Sequence, residues 1–188
     1  AVFALGIFNE VAVKVHWMAD EVKAWLANYC EKKDVKIRII DESSKLLGTA
    51  GTLFWHADDQ EDFMAAYADT FSENVFSDLP SIIEKWIGMP DEVLAGLLSF
   101  DQPGDASAGG IILDENGDLL SFQEKLEIGA IAWAGVMFAR KEFLGYLKRE
   151  DKDLARDVFP RMRGMMRIVD HVDAYDIGRG VEQYERAR

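Results

Sequence analysis

The 188 residues are enough for one domain of ordinary size with a real core, because 49% are apolar and five Trp and eleven Phe are available for burial. With 34 acidic against 21 basic residues the net charge is −13, which disfavours binding to a nucleic-acid backbone but leaves room for a nucleotide site that a few local cations and a metal neutralise. No run of eighteen apolar residues occurs, so no membrane span is expected. The single cysteine, Cys30, excludes an internal disulfide, fits a reducing compartment such as the cytoplasm, and reads as a core residue rather than a nucleophile.

The chain opens on AVFALGIFNEVAV, apolar but without a basic flank. It reads as the end of a helix running into a strand, not as a signal peptide. Residues 10–17 alternate like a strand. Residues 18–32 show helical spacing, with Val22, Trp25, Leu26 and Tyr29 on one face. A second strand covers 35–42. LLGTAGTLFWHA then begins as a loop and continues as a helix from about Thr49. Residues 63–69 form a short buried strand ending at Asp69. Ser77-Asp78 cap a helix through Trp86, stopped by Gly88 and Pro90.

A strand at 92–100 precedes a hairpin over 108–125, marked by Asn116-Gly117, whose residues tolerate positive φ. Residues 130–140 return as a strand, 141–149 and 151–163 read as helical, 166–178 as a last strand or strand pair, and 180–187 as a closing helix. There is no repeat and no low-complexity linker. The alternation of apolar β-rich runs with helical patterns defines the expected fold as one α/β domain over 1–188: a Rossmann-like, mixed, mainly parallel sheet flanked by helices.

Ligands of such sheets bind beyond the carboxyl ends of strands. Asp69 and Asp176 stand at two such ends, and two carboxylates so placed can share one divalent cation. Magnesium suits them, because it takes a few carboxylates together with phosphate oxygens and water. By spacing alone, a strand-end cap or a solvated acid is the better explanation of each. His16, His56 and His171 are dispersed and receive no catalytic role; the sequence shows no Ser-His-Asp, HExxH or CxxC pattern. The Trp and Met residues read as packing.

Three segments carry a family resemblance: LLGTAGTL at 46–53, AYADTF at 66–71, and HVDAYDIGRGVEQYERA at 171–187. Together they resemble the sugar-1-phosphate nucleotidylyltransferases, which join a nucleoside triphosphate to a sugar 1-phosphate. The resemblance implies that Gly48, Thr49, Ala50 and Gly51 face the nucleotide base, small residues letting a flat ring approach the main chain. It implies that Asp69 and Asp176 hold Mg2+. Glu124-Lys125 resembles the family's Glu-Lys-Pro, in which the lysine binds the sugar phosphate as a point charge, so Lys125 is the candidate catalytic cation; Leu126 replaces the proline. Ala134-Gly135 fits the strand in which the family has Asn-Ala-Gly, with Gly135 on the substrate side and Trp133 in the sugar-contacting Asn position. LARDVFPRM at 154–162 resembles a family helix in which Asp157 and Pro160 are structural.

The same comparison leaves the family's opening βα unit, with its GxGTRL loop and Pro-Lys-Pro, without a counterpart in these residues. That strand is central in the family, beside the one ending at Asp69. Its loss predicts an unusual neighbour for 63–69 or pairing across a homo-oligomer. Arg179-Gly180 stands where the family has Thr-Pro. The activity implied is transfer of a nucleoside monophosphate to a hexose or heptose 1-phosphate with release of pyrophosphate. The alternatives are a non-catalytic nucleotide-sugar-binding or regulatory homologue, and a purely structural oligomer component.

Overall fold

A computed structural model of the chain describes residues 8–57, 61–71, 75–101, 109–114, 119–124 and 131–176. β1 (Ala12–Val15) leads into α1 (Ala19–Lys33), which returns the chain to β2 (Arg38–Asp41), parallel to β1 with Ala12 opposite Arg38. Asp20 and Glu21 in the first turn of α1 and Lys32 and Lys33 in the last complement its dipole. Asp34, at φ 50, closes the helix with its N–H on the Cys30 carbonyl.

Next come α2 (Gly48–His56), β3 (Phe63–Ala66), β4 (Thr70–Phe71) and α3 (Val75–Ile87). The remaining strands are β5 (Ala95–Asp101), β6 (Gly109–Leu113), β7 (Leu119–Glu124), β8 (Ile131–Ala139), β9 (Met166–His171) and β10 (Tyr175–Asp176). β8 is central to the larger sheet. It runs antiparallel to β3, β5 and β6, while β9 lies parallel to β5 and β7 closes the β6 hairpin. The sheet is thus mixed: β3, β5 and β6 point one way because each is antiparallel to β8, and β9 points with them because it is parallel to β5.

β5 is buried along nearly its whole length because both faces are covered. On one face Ala95, Leu97, Met137, Ala139 and Met166 pack against Phe143, Leu154, Val158, Phe159 and Met162 from the segment 141–162, and against Ala50 of α2. On the other, Leu98, Phe100, Ala134, Phe138 and Val169 pack against Leu79, Ile82 and Trp86 of α3. A third, small cluster of Val15, Ala19 and Leu26 joins β1 to α1.

Several expected boundaries shift. The strand at 63–69 is shorter, ending at Ala66; it pairs on one edge with β8, and no described strand lies on the other. Asp69 falls in the turn that follows. α3 starts at Val75, ahead of Ser77-Asp78, and accommodates Pro80 in its interior. The two helices expected over 141–163 are instead a 3-10 stretch (Lys141–Tyr146), a single π turn (Leu154–Val158) and a 3-10 turn (Phe159–Met162). Pro160 carries no N–H to extend a ladder, and side chains hold the intervening backbone: Asp151 accepts from the Lys148 amide, and Asp157 accepts from the Lys152 and Asp153 amides. The reading of every Trp and Met as packing fails at the front of the chain, where Trp17, Met18, Trp25 and Trp55 are all more than half exposed. Trp25 stacks on Tyr29 at 5.3 Å on the outer side of α1. The Asn116-Gly117 turn, Lys125 and the closing helix at 180–187 lie outside the described residues.

Candidate functional site

The turn at 48–51 is locked to a distant part of the chain. Gly48 has φ +81, and a Cβ there would lie 2.3 Å from the Lys152 carbonyl oxygen. Only glycine combines that backbone with so close an approach. The Ala50 amide donates to the same carbonyl at 3.0 Å, and the Leu154 amide donates to Thr49 Oγ1 at 3.2 Å. The close approach at Gly48 is therefore made by the protein's own backbone at Lys152, and a Cβ at Gly51 would meet Leu47 Cβ at 3.1 Å and the Asp151 carbonyl oxygen at 3.3 Å.

The Thr49 hydroxyl also lies beside the phenol of Tyr67, the residue just past β3. Burial pushes the Tyr67 phenol above its ordinary value, the neighbouring Thr49 hydroxyl opposes that, and the nearby negative charges of Asp153 and Asp69 add to it. The Tyr67 amide donates to the Gly135 carbonyl at 2.9 Å, continuing the β3–β8 ladder by one residue. Gly135, buried and at φ 70, sits in a bulge of β8: Leu97 of β5 faces Met137, yet Ser99 faces Trp133, so three residues of β8 span one of β5. The bulge tips Trp133 so that its Nε1 donates to the Val136 carbonyl at 2.9 Å. Its ring lies among Tyr67, Phe122 and Phe159, with centroids 5.0, 6.0 and 5.3 Å away. Gly48–Gly51, Tyr67, Trp133 and Gly135 thus form one connected set.

The two acids expected to share a cation are brought together at the backbone level. β10 pairs antiparallel with β4, Asp176 opposite Thr70, so Asp176 is directly across from the residue following Asp69. Asp69 is exposed and makes no ion pair among the described residues. Lys125, the expected sugar-phosphate cation, lies outside the described residues.

Sequence reasoning missed Tyr67, although it sits inside the AYADTF segment, and missed the buried Glu42 just after β2. It also saw no serine–histidine–aspartate grouping, yet the fold makes one from β5 and β9. His171 Nδ1 is 3.1 Å from Ser99 Oγ, and Nε2 is 3.4 Å from Asp101 Oδ1. Parallel pairing of Ser99 with His171 causes this. The arrangement does not resemble a nucleophilic triad: Ser99 is 1% exposed, within 3.3 Å of the Asp170 carbonyl, and closed to any substrate.

The architecture is a mixed α/β fold, an open mixed sheet with helices on its faces. Among solved structures it is similar to HddC from Yersinia pseudotuberculosis, with a TM-score of 0.76 over 98% of this chain and 80% of that one, at 18% identity. The same protein complexed with GMP-PN gives a TM-score of 0.73 over 94% of this chain and 76% of that one, at 19% identity. No protein-family model and no curated protein sequence matches the chain. At such identities the shared property is the fold.

Proposed function

We propose that this chain is a nucleotide-binding domain of the sugar-1-phosphate nucleotidylyltransferase type. A nucleoside triphosphate sits with its base against residues 48–51, a hexose or heptose 1-phosphate binds on the side of Gly135 and Lys125, and Mg2+ lies between Asp69 and Asp176. The observation that carries this reading is the β4–β10 ladder, which sets Asp176 across from Thr70 and so beside Asp69, two acids over a hundred positions apart in sequence. The GMP-PN complex of the structural neighbour supports a nucleotide as ligand of this fold.

The donor set fits the metal: two carboxylates offer hard oxygens, and Asp69 is exposed. When bound, the cation neutralises charge that develops as pyrophosphate departs. The remaining chemistry is positioning. The sugar phosphate is already an ionised nucleophile, so its oxygen forms the new bond to the α-phosphorus in line with the leaving pyrophosphate, with no general base and no covalent intermediate. Lys125 supplies a point charge to the sugar phosphate.

One observation favours a second reading, nucleotide binding without turnover. Trp133 stands where a sugar-contacting Asn is expected, its only polar hydrogen is committed to Val136, and three aromatic rings surround it. It offers a sugar no hydrogen bond.

The test is Mg2+-dependent pyrophosphate release with ATP, GTP, CTP or UTP and a panel of sugar 1-phosphates, alongside calorimetric nucleotide binding. Turnover that falls by about 10²-fold or more in Asp69→Ala, the scale of several kcal/mol of lost charge stabilisation, supports the transferase. Mg2+-dependent binding without turnover selects the second reading. A folded protein that binds none of the four nucleotides defeats both.

A further inference from the structure

We propose that Glu42 is a positioning residue that sets the shape of the 47–52 segment and thereby its discrimination among nucleotide bases; this rests on the reading that 48–51 faces a base. Glu42 directly follows β2 and is 2% exposed, one of three buried polar or charged residues among those described. The other two are explained locally, since Asp151 pairs with Arg161 and Ser99 is bonded to His171. The Glu42 carboxylate has no cationic partner among the described residues, so its burial is costly unless hydrogen bonds offset it.

All of those bonds run to one place. Glu42 Oε2 accepts from the Leu47 amide at 2.9 Å, the residue that opens α2 and whose own side chain caps nothing. Glu42 Oε1 lies against Thr52 Oγ1, which is also within 2.7 Å of the Gly48 carbonyl. The carboxylate therefore grips the segment at both ends, at Leu47 before the turn and at Thr52 one helical turn beyond Gly48. It also sits where the positive end of α2 favours a negative charge. The Glu42 main chain anchors the grip, its amide on the Val15 carbonyl at 2.8 Å and its carbonyl on His16 Nδ1 at 2.7 Å. The opposite side of the turn is fixed by Lys152 and Leu154. With both flanks held, the backbone of this segment is rigid, and rigid donors and acceptors are what distinguish one base edge from another.

The experiment compares the full chain with Glu42→Ala, Glu42→Gln and Thr52→Val, the last serving if Glu42→Ala does not fold. Amide hydrogen exchange is read over 47–52, and dissociation constants are read for ATP, GTP, CTP and UTP with Mg2+. Glu42→Ala and Thr52→Val are expected to speed exchange over 47–52 about tenfold, while β5 and β8 stay unchanged. The spread of constants across the four nucleotides should shrink severalfold. Glu42→Gln, which keeps an acceptor for Leu47 and a partner for Thr52, should stay close to the native protein in both. Unchanged exchange over 47–52 in the variants would overturn the proposal while leaving the nucleotide reading intact. Faster exchange with an unchanged spread would overturn the discriminating role. A native protein that binds none of the four nucleotides would overturn the nucleotide reading, and this one with it.

Discussion

Asp157 shows how a single acid shapes the segment that backs the candidate site. Its carboxylate accepts from the Asp153 and Lys152 amides at 2.9 and 2.8 Å, and these bonds, Asp153's first, hold it below the ordinary carboxylate range. A carboxyl with a depressed folded value contributes stability that is complete above its unfolded value of about 4 and disappears as pH falls through the folded value. Asp157→Asn should therefore be less stable than the native protein at pH 7 in urea unfolding, and the difference should close as pH is lowered from about 5 towards 2. A gap that stays constant over that range would show that the charge is irrelevant. Asp157 was legible in sequence as a structural residue, from its place in LARDVFPRM. The Gly48–Lys152 contact was not, because a glycine's need for positive φ and for a carbonyl over a hundred positions away leaves no trace in local spacing. Asp69 and Asp176 were legible as candidates by position. That they come near one another depends on a two-residue ladder, β4–β10, which no periodicity announces.

At the scale of elements, the long apolar runs were readable and the short ones were not. β5 and β8 emerge within one to three residues of their expected ends, since both faces of the sheet demand apolar side chains and leave little room for another structure. The segment 141–163 looked helical because Phe143, Leu147, Leu154, Val158 and Met162 recur at helix-like intervals; they do reach the core, but through tight turns held by Asp151, Asp153 and Asp157. The contact between β5 and α3 is equally specific. A Cβ on Gly96 would lie 2.3 Å from Val169 Cγ2 and 2.8 Å from Trp86 Cε3, two buried side chains held by their own neighbours. Gly96→Ala must push α3 off the sheet or move Trp86, which also carries the Arg140 guanidinium over its ring at 5.1 Å. Overpacking of this kind costs about 1–3 kcal/mol. Chemical denaturation should show that loss, with the near-ultraviolet signal of Trp86 altered; an unchanged midpoint would mean that α3 yields freely.

The whole molecule divides its apolar burial unevenly, and stability should follow that division. The six-stranded sheet carries two extensive clusters, one on each face, whereas β1, α1 and β2 rest on Val15, Ala19 and Leu26 with Val13, Val22 and Ile37 at their margin. Among the described residues their two-stranded sheet shares no ladder with the larger one, and β1 has only β2 as a neighbour. Among the described residues, polar links from this unit to the rest run from Asn9 to Glu61 at 3.1 Å, from Arg38 to the His56 carbonyl at 3.2 Å, and from Glu42 to Leu47 and Thr52. Trp17, Met18, Trp25 and Ile39 remain in water around it. A unit with few buried contacts and exposed hydrogen-bonded backbone opens at lower free energy than a core strand. Native-state hydrogen exchange should accordingly place the amides of β1, α1 and β2 in one subglobal opening below the global unfolding free energy, with β5 and β8 exchanging only at the global value. In rising urea the two sets should converge, since the subglobal opening exposes less surface and has the smaller slope. Equal protection of Val13 and Leu97 in the absence of denaturant would mean that the polar links bind the two parts as tightly as a shared core, and that the stability of this fold does not follow its apolar clusters.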